Sequence, residues 1–367
     1  MGQTRQQLAE AFPPGEMLQE KLSELGMPIK EFALRCGKPE PTIHAVLQGR
    51  SAVTPDMAIL FENVLDIPAH LWLNLQCQYD EYRARLQHDA ELKEDVHWAG
   101  NFPFAEMATK GYFNAPERCS ALEKTKLLLA FFGFAKSSGW IKYYQKQVLK
   151  AEFHLSLAEI PETAALSAWL RYGEHQAEAG QELIPPDKDK LRTQIPLMQK
   201  LANSGQEDFL SPLLALCQKS GIRLVCTPQL CSSKAYGAAR WLRGTPLIQV
   251  SDSFKRYDVF WFTFFHALGH ILLHGKRDVF LEGIDYEQKN QKKEQQANVF
   301  AANCLIPRAV AGKLKTFRFS DKALRDLCQK EGLHSAFVIG RLHYHALVPQ
   351  SVVNQYVPRV DLRPHIK

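Results

Sequence analysis

Residues 257–274 read YDVFWFTFFHALGHILLH, and residues 294–307 read EQQANVFAANCLIP. The first stretch is apolar or aromatic around its whole circumference, which predicts a buried helix from about Asp258 to His274. His266 and His270 stand four apart, so a helix puts both imidazoles on one face, within reach of one ion. Glu294 lies 24 residues beyond His270, on a second helical stretch. Two histidines and one carboxylate form a ligand set for catalytic zinc (Zn2+) and leave the fourth position to water or substrate. His274 continues the histidine face by one turn, where it can touch substrate or hold a ligand from behind.

Working outward, residues 221–230, GIRLVCTPQL, alternate like a strand, and AARWLRGTPLIQVSD (238–252) reads as two strands about a turn at Gly244-Thr245. The second of these strands, within RGTPLIQVS, is a candidate free edge for an extended peptide. After Pro307 the sequence predicts two more helices, ending in a His343/His345 pair whose spacing does not favour joint ligation. Strands followed by helices make the carboxy-terminal part, 210–345, an α+β domain.

The first hundred residues are different. PPGEMLQEKLSELG (13–26), IKEFALRCG (29–37) and PEPTIHAVLQG (39–49) each carry apolar residues at helical spacing and end on glycine. Thr54-Pro55-Asp56 caps a fourth helix, and Pro68 opens a fifth. Five helices with tight connections form an all-α helix-turn-helix domain over 12–86. Between the two lies a mainly helical stretch, 90–205, rich in aromatics at Phe131, Phe132, Phe134, Trp140, Tyr143 and Tyr144, which reads as a core. The whole is multidomain and mainly α.

Composition narrows the function. The chain is 46% apolar and 23% charged, and its eight cysteines include no C-x-x-C pair, which fits reduced thiols in a cytoplasmic protein. No apolar run is long enough to span a bilayer, and no secretory leader precedes the first helix. The net charge of +6 divides unevenly. Residues 1–100 hold 9 Lys/Arg against 15 Asp/Glu, and the remainder 36 against 24, so the helix-turn-helix part is acidic. It is therefore a weak electrostatic binder of DNA by itself.

Several stretches carry resemblances. PPGEMLQEKL, TIHAVLQGRSAVTPDMAILFENVL and LWLNLQCQYDEYRA closely resemble the antitoxin-type branch of the phage-repressor (Cro-like) helix-turn-helix family. The resemblance implies that Glu40, Thr42, His44 and Gln48 meet the major groove of operator DNA, with Arg50 at a phosphate. It also implies a homodimer, because such regulators read paired half-sites. The same small fold also serves as a dimerisation or docking module, so a toxin or other protein partner is the alternative. SAWLRYGEHQA (167–177) resembles a connector or sensor segment in longer proteins that join these two end domains.

HALGHILLH followed by EQQANVFAANCLIP resembles the ImmA/IrrE family of zinc metallopeptidases. The resemblance implies an endopeptidase that cleaves a helix-turn-helix regulator, which in fused members shares the chain. By the family pattern His266, His270 and Glu294 are the ligands, and the general base is the residue at 267. The family has glutamate there. Here it is Ala267, whose methyl group neither takes nor gives a proton, so peptide hydrolysis is expected to be slowed by orders of magnitude. Two readings stay open: a replacement that inactivates a protease, or a non-enzymatic regulator whose zincin-like domain senses a peptide or ligand. Tyr257 is the candidate for stabilising an oxyanion. Glu282, Asp285 and Glu287 lie between the motifs and read as solvated loop carboxylates.

Overall fold

Helix boundaries at the amino terminus follow the punctuation of the sequence. A computed structural model describes residues 12–146, 163–180, 184–253, 255–276, 278–283 and 291–362. It divides into two units, residues 1–96 and 97–367. The first holds α1 (Pro14–Glu24), α2 (Ile29–Arg35), α3 (Glu40–Leu47), α4 (Pro55–Leu65) and α5 (Ala69–Leu92). Thr54 Oγ1 accepts the Met57 N–H at the start of α4, satisfying one of the donors that a helix start leaves unpaired. Leu18, Leu22, Phe32, Ile43, Val46, Phe61 and Trp72 form the core. Phe61 lies 5.1 Å from Phe32 and 5.4 Å edge-on from Trp72, the spacing that aromatic quadrupoles favour.

The second unit is built on a four-stranded sheet. Its strands are β1 (Arg223–Thr227), β2 (Gly237–Leu242), β3 (Thr245–Ser251) and β4 (Phe280–Glu282). Their order is β1-β3-β2-β4, with β3 parallel to β1 and antiparallel to β2, and β4 antiparallel to β2. This corrects the expectation of a free edge within RGTPLIQVS: β3 is paired on both sides, and the outer described strands are β1 and β4. The β2–β3 turn falls on Arg243-Gly244, one residue earlier than expected, with φ of 47° and 87°. Two positive φ values match the right-handed strand twist of a tight hairpin.

Side chains alternate across the pleat, so the sheet has two distinct faces. Leu224, Cys226, Ala239, Trp241, Ile248 and Val250 share a core with α10 (Tyr257–Leu273), the helix of the opening motif. The longer helices of this unit that precede β1 are α6 (Ala121–Phe132), α7 (Thr163–Ala179), α8 (Lys188–Ser204) and α9 (Leu210–Lys219). The other face is covered by α7 and is polar at its centre. There Gln249 donates to the Trp169 carbonyl at 2.7 Å, and Arg240 to the Leu170 carbonyl at 2.7 Å. Thr227 donates to Gln176 Oε1 at 2.6 Å.

Beyond β4 come α11 (Gln291–Leu305), α12 (Arg308–Leu314), α13 (Asp321–Glu331), α14 (Ser335–Tyr344) and α15 (Gln350–Tyr356). Four helices thus follow Pro307 where the sequence suggested two. The aromatic stripe of the middle segment is core, with Trp98, Phe102, Phe132, Trp140 and Tyr144 packed ring against ring. The helical reading of 151–162, like Asp285 and Glu287, falls outside the described residues.

Candidate metal centre

The centre sits where α10, α11 and β4 meet. Helix α10 is buried along almost its whole length, as its all-round apolar sequence requires. Asp258 stands in its first turn, where its charge favours the helix dipole, and pairs with Arg256. Gly269 lets α11 come close: a Cβ there would lie 3.0 Å from Phe300 Cδ1 and 3.3 Å from Ala297 Cα. That approach is what carries Glu294 to the histidines. On the other side Gly237 stands opposite Glu282 in the β2–β4 ladder. A Cβ there would press on Thr263 of α10 at 2.8 Å.

Ligand-type atoms of His266, His270, Glu282 and Glu294 all lie within 4.8 Å of one another. His266 Nε2 is 2.8 Å from His270 Nε2, 2.5 Å from Glu282 Oε1 and 3.3 Å from Glu294 Oε2. His270 Nε2 is 3.6 Å from Glu294 Oε1. Both histidines are buried, and the two carboxylates are partly so. Glu282 Oε1 finds no partner among the described residues other than the His266 ring nitrogen. Four electron-pair donors thus converge on one point, an arrangement that fits a divalent cation.

Surrounding side chains fix which ring nitrogen faces the cluster. His266 Nδ1 lies 3.0 Å from Asn298 Oδ1, which accepts its proton and leaves Nε2 as the donor atom. Behind His270 runs a relay in which His274 Nε2 is 3.1 Å from Gln296 Oε1 and His274 Nδ1 is 2.9 Å from His270 Nδ1. With His274 donating to Gln296, its Nδ1 accepts the His270 Nδ1–H, and His270 Nε2 again faces the cluster. Burial lowers the pKa of His274, which suits a neutral relay ring. Burial also works to lower that of His266, but the hydrogen bonds and charges of Glu282 and Glu294 outweigh it and raise it to about 9. A proton there partly offsets the negative charge that a metal would neutralise.

Of the sequence candidates, the structure gathers His266, His270, His274 and Glu294 and adds Glu282. Ala267 is 3% exposed on the same helix, beside the first ligand-type histidine. Tyr257 is not brought in. Its hydroxyl donates to the Ala202 carbonyl at 2.8 Å, its ring packs on Phe209 and Phe337, and burial pushes its phenol up to about 12. Sequence reading missed Asn298 and Gln296, although Asn298 stands four residues after Glu294, on the same helical face. It passed over Glu282 as a loop residue because a three-residue strand leaves no periodicity to read.

In the first unit, Glu40, Gln48 and Arg50 are exposed, and Thr42 and His44 partly so, along α3 and its end. His44 Nε2 lies 3.6 Å from Glu40 Oε1, and Arg50 hydrogen-bonds Gln48. The candidate DNA contacts are therefore at least partly accessible, and some of them are internally paired.

Comparison with known proteins matches each unit to a different kind. Over 63 residues the chain is 40% identical to the uncharacterized HTH-type transcriptional regulator YddM of Escherichia coli (strain K12), covering 17% of this chain and 67% of that protein. The chain belongs, through this region, to the helix-turn-helix regulators. A putative antidote protein of a plasmid maintenance system from Nostoc punctiforme is 31% identical, covering 23% of this chain and 94% of that one, with a TM-score of 0.23. An addiction module antidote protein of the HigA family from Coxiella burnetii is 28% identical, covering 23% and 95%, with a TM-score of 0.22. Residues 217–325 match the IrrE N-terminal-like domain, a Peptidase_M78 family. The regulator region is therefore followed by an IrrE/ImmA-like domain that holds the His266–His270–Glu282–Glu294 cluster. No described helix is long and apolar enough to cross a membrane.

Proposed function

We propose that this chain is a cytoplasmic transcriptional regulator, antitoxin-like in its first unit, that carries a zinc endopeptidase scaffold disabled at its proton-transfer step. The division we favour is a helix-turn-helix domain over 12–86, a connector or sensor over 90–205 and the metallopeptidase domain over 210–345. His266, His270 and Glu294 would hold the ion, with the Glu282 carboxylate beside them. Bound zinc would supply Lewis acidity to a water or a peptide carbonyl. His274, Gln296 and Asn298 orient the ligand rings. Position 267 is where a carboxylate would carry the proton from water to the leaving amine, and an alanine cannot. The observation that carries this reading is a complete His2Glu2 cluster whose two histidines share a helix with that alanine.

Operator DNA is the partner proposed for Glu40, Thr42, His44, Gln48 and Arg50, read by a homodimer. The substrate of the peptidase scaffold is a helix-turn-helix regulator, a toxin-linked partner or this chain itself. A second reading draws on Glu282: as a fourth protein ligand its carboxylate would close the position that hydrolysis needs open, which favours a non-enzymatic sensor. Zinc content and cleavage of helix-turn-helix proteins, measured on this chain and on Ala267→Glu, separate the readings. Zinc in both with cleavage only by Ala267→Glu supports the disabled peptidase. Zinc in both with no cleavage moves the balance to the sensor, and zinc in neither sinks the metal centre.

A further inference from the structure

The sheet face turned away from His266 holds a second polar feature that the metal centre does not use. A cavity of about 460 Å3 lies between α7 and strands β2 and β3. Arg171, Arg223, Arg240 and Arg243 line it, against Glu174 and Glu178, so the lining carries a net charge of +2. Leu170, Leu242 and Leu247 supply an apolar wall.

Arg240 is the unusual member. Its side chain is 5% exposed, on a central strand, where arginine is rarely found. Nη2 donates to the Leu170 carbonyl and to Gln249 Oε1, yet Nε finds no hydrogen-bond partner among the described residues. The nearest carboxylate, Glu174, is 3.7 Å away and is also held by Arg171 at 2.7 Å. A buried guanidinium with an unmet donor and a shared counter-charge is costly unless something supplies an acceptor. Arg243 pairs with Glu178 at 3.4 Å from an 88% exposed position, so it can turn towards a ligand at little cost.

We propose that this cavity binds a small organic anion, a carboxylate or phosphate on an apolar body, with its head group on the Arg240 guanidinium. The forked donors of arginine match the planar or tetrahedral oxygens of such groups. The net positive lining disfavours a cation, and a neutral apolar molecule leaves the guanidinium unsatisfied. Hydrophobic walls with a few convergent polar groups are the ordinary form of a small-molecule site. The inference uses a different face of the sheet and does not depend on the metal reading.

Calorimetric titration of the full chain with phenyl phosphate, benzoate and neutral benzyl alcohol tests it. The expected result is saturable one-to-one binding of one or both anions and none of the alcohol, with the tighter anion identifying the head group. Arg240→Met is expected to weaken that binding at least about tenfold. Ala177→Trp, at a partly exposed position on the cavity wall, fills the space while keeping all four arginines. It decides the matter if Arg240→Met fails to fold. Equal binding of the alcohol, no saturation by either anion, or anion binding that survives Ala177→Trp would overturn the proposal.

Discussion

The two faces of one four-stranded sheet handle buried charge in opposite ways. On the α10 face, histidines and glutamates converge with more acceptors than donors, and a proton at His266 only partly corrects the imbalance. On the α7 face, Arg240 is enclosed with more donors than acceptors. Neighbouring residues of one strand serve both: Ala239 packs towards α10 while Arg240 turns to α7. The lesson is that a strand's alternation sorts more than apolar from polar. It can also keep two electrostatic demands of opposite sign a few ångströms apart, with backbone between them.

Separate perturbations should break the faces one at a time. The largest effect is expected from Gly269→Leu, whose side chain would meet Phe300 and the Ala297 backbone. Overpacking at a tight helix crossing costs about 3 kcal/mol, and urea unfolding should show that loss together with loss of zinc binding. The arginine face should keep its ligand in this variant. Gln249→Leu is the converse. It strips partners from Arg240, Thr227 and the Trp169 carbonyl, for a loss of about 2 kcal/mol in the same assay. Zinc affinity should not change.

Asn298→Ala sharpens the comparison without disturbing the core. It removes the group that fixes the His266 tautomer and should weaken zinc about 10- to 100-fold in competition with a chelator. The smallest effect lies outside both faces. His334 Nδ1 accepts the Ala336 N–H at the start of α14, and burial lowers the pKa of its ring. With the folded value below the unfolded one, the unfolded chain takes up the proton first as pH falls. The stability that the neutral ring contributes is therefore complete above about pH 6.5 and declines towards the depressed value. Unfolding midpoints at pH 7.5 and 5 should fall more for the native chain than for His334→Asn, with neither ligand site affected.

Much of this was legible in the sequence because it is local. Glycine and proline stops delimit α1 to α4, and the i,i+4 histidines and Glu294 announce the candidate metal centre. What escaped depends on contacts distant in sequence. The interior place of β3 follows from its parallel pairing with β1, which alternation cannot reveal. Glu282 belongs to the centre only because β4 pairs with Gly237 of β2. The burial of Arg240 was hidden for a related reason: the sequence marks which strand residues share a face, but not that α7 would cover that face.

The Phe280 ring lies flat against His270, with centroids 3.4 Å apart and planes inclined by 19°. An aromatic ring circulates current in a magnetic field, so the protons of His270 sit in a strongly shielded place. Their resonances should stand apart from those of the other histidines and move when an ion draws the imidazole towards Glu294. Those resonances would report whether an ion is bound, in solution and without a substrate or a label.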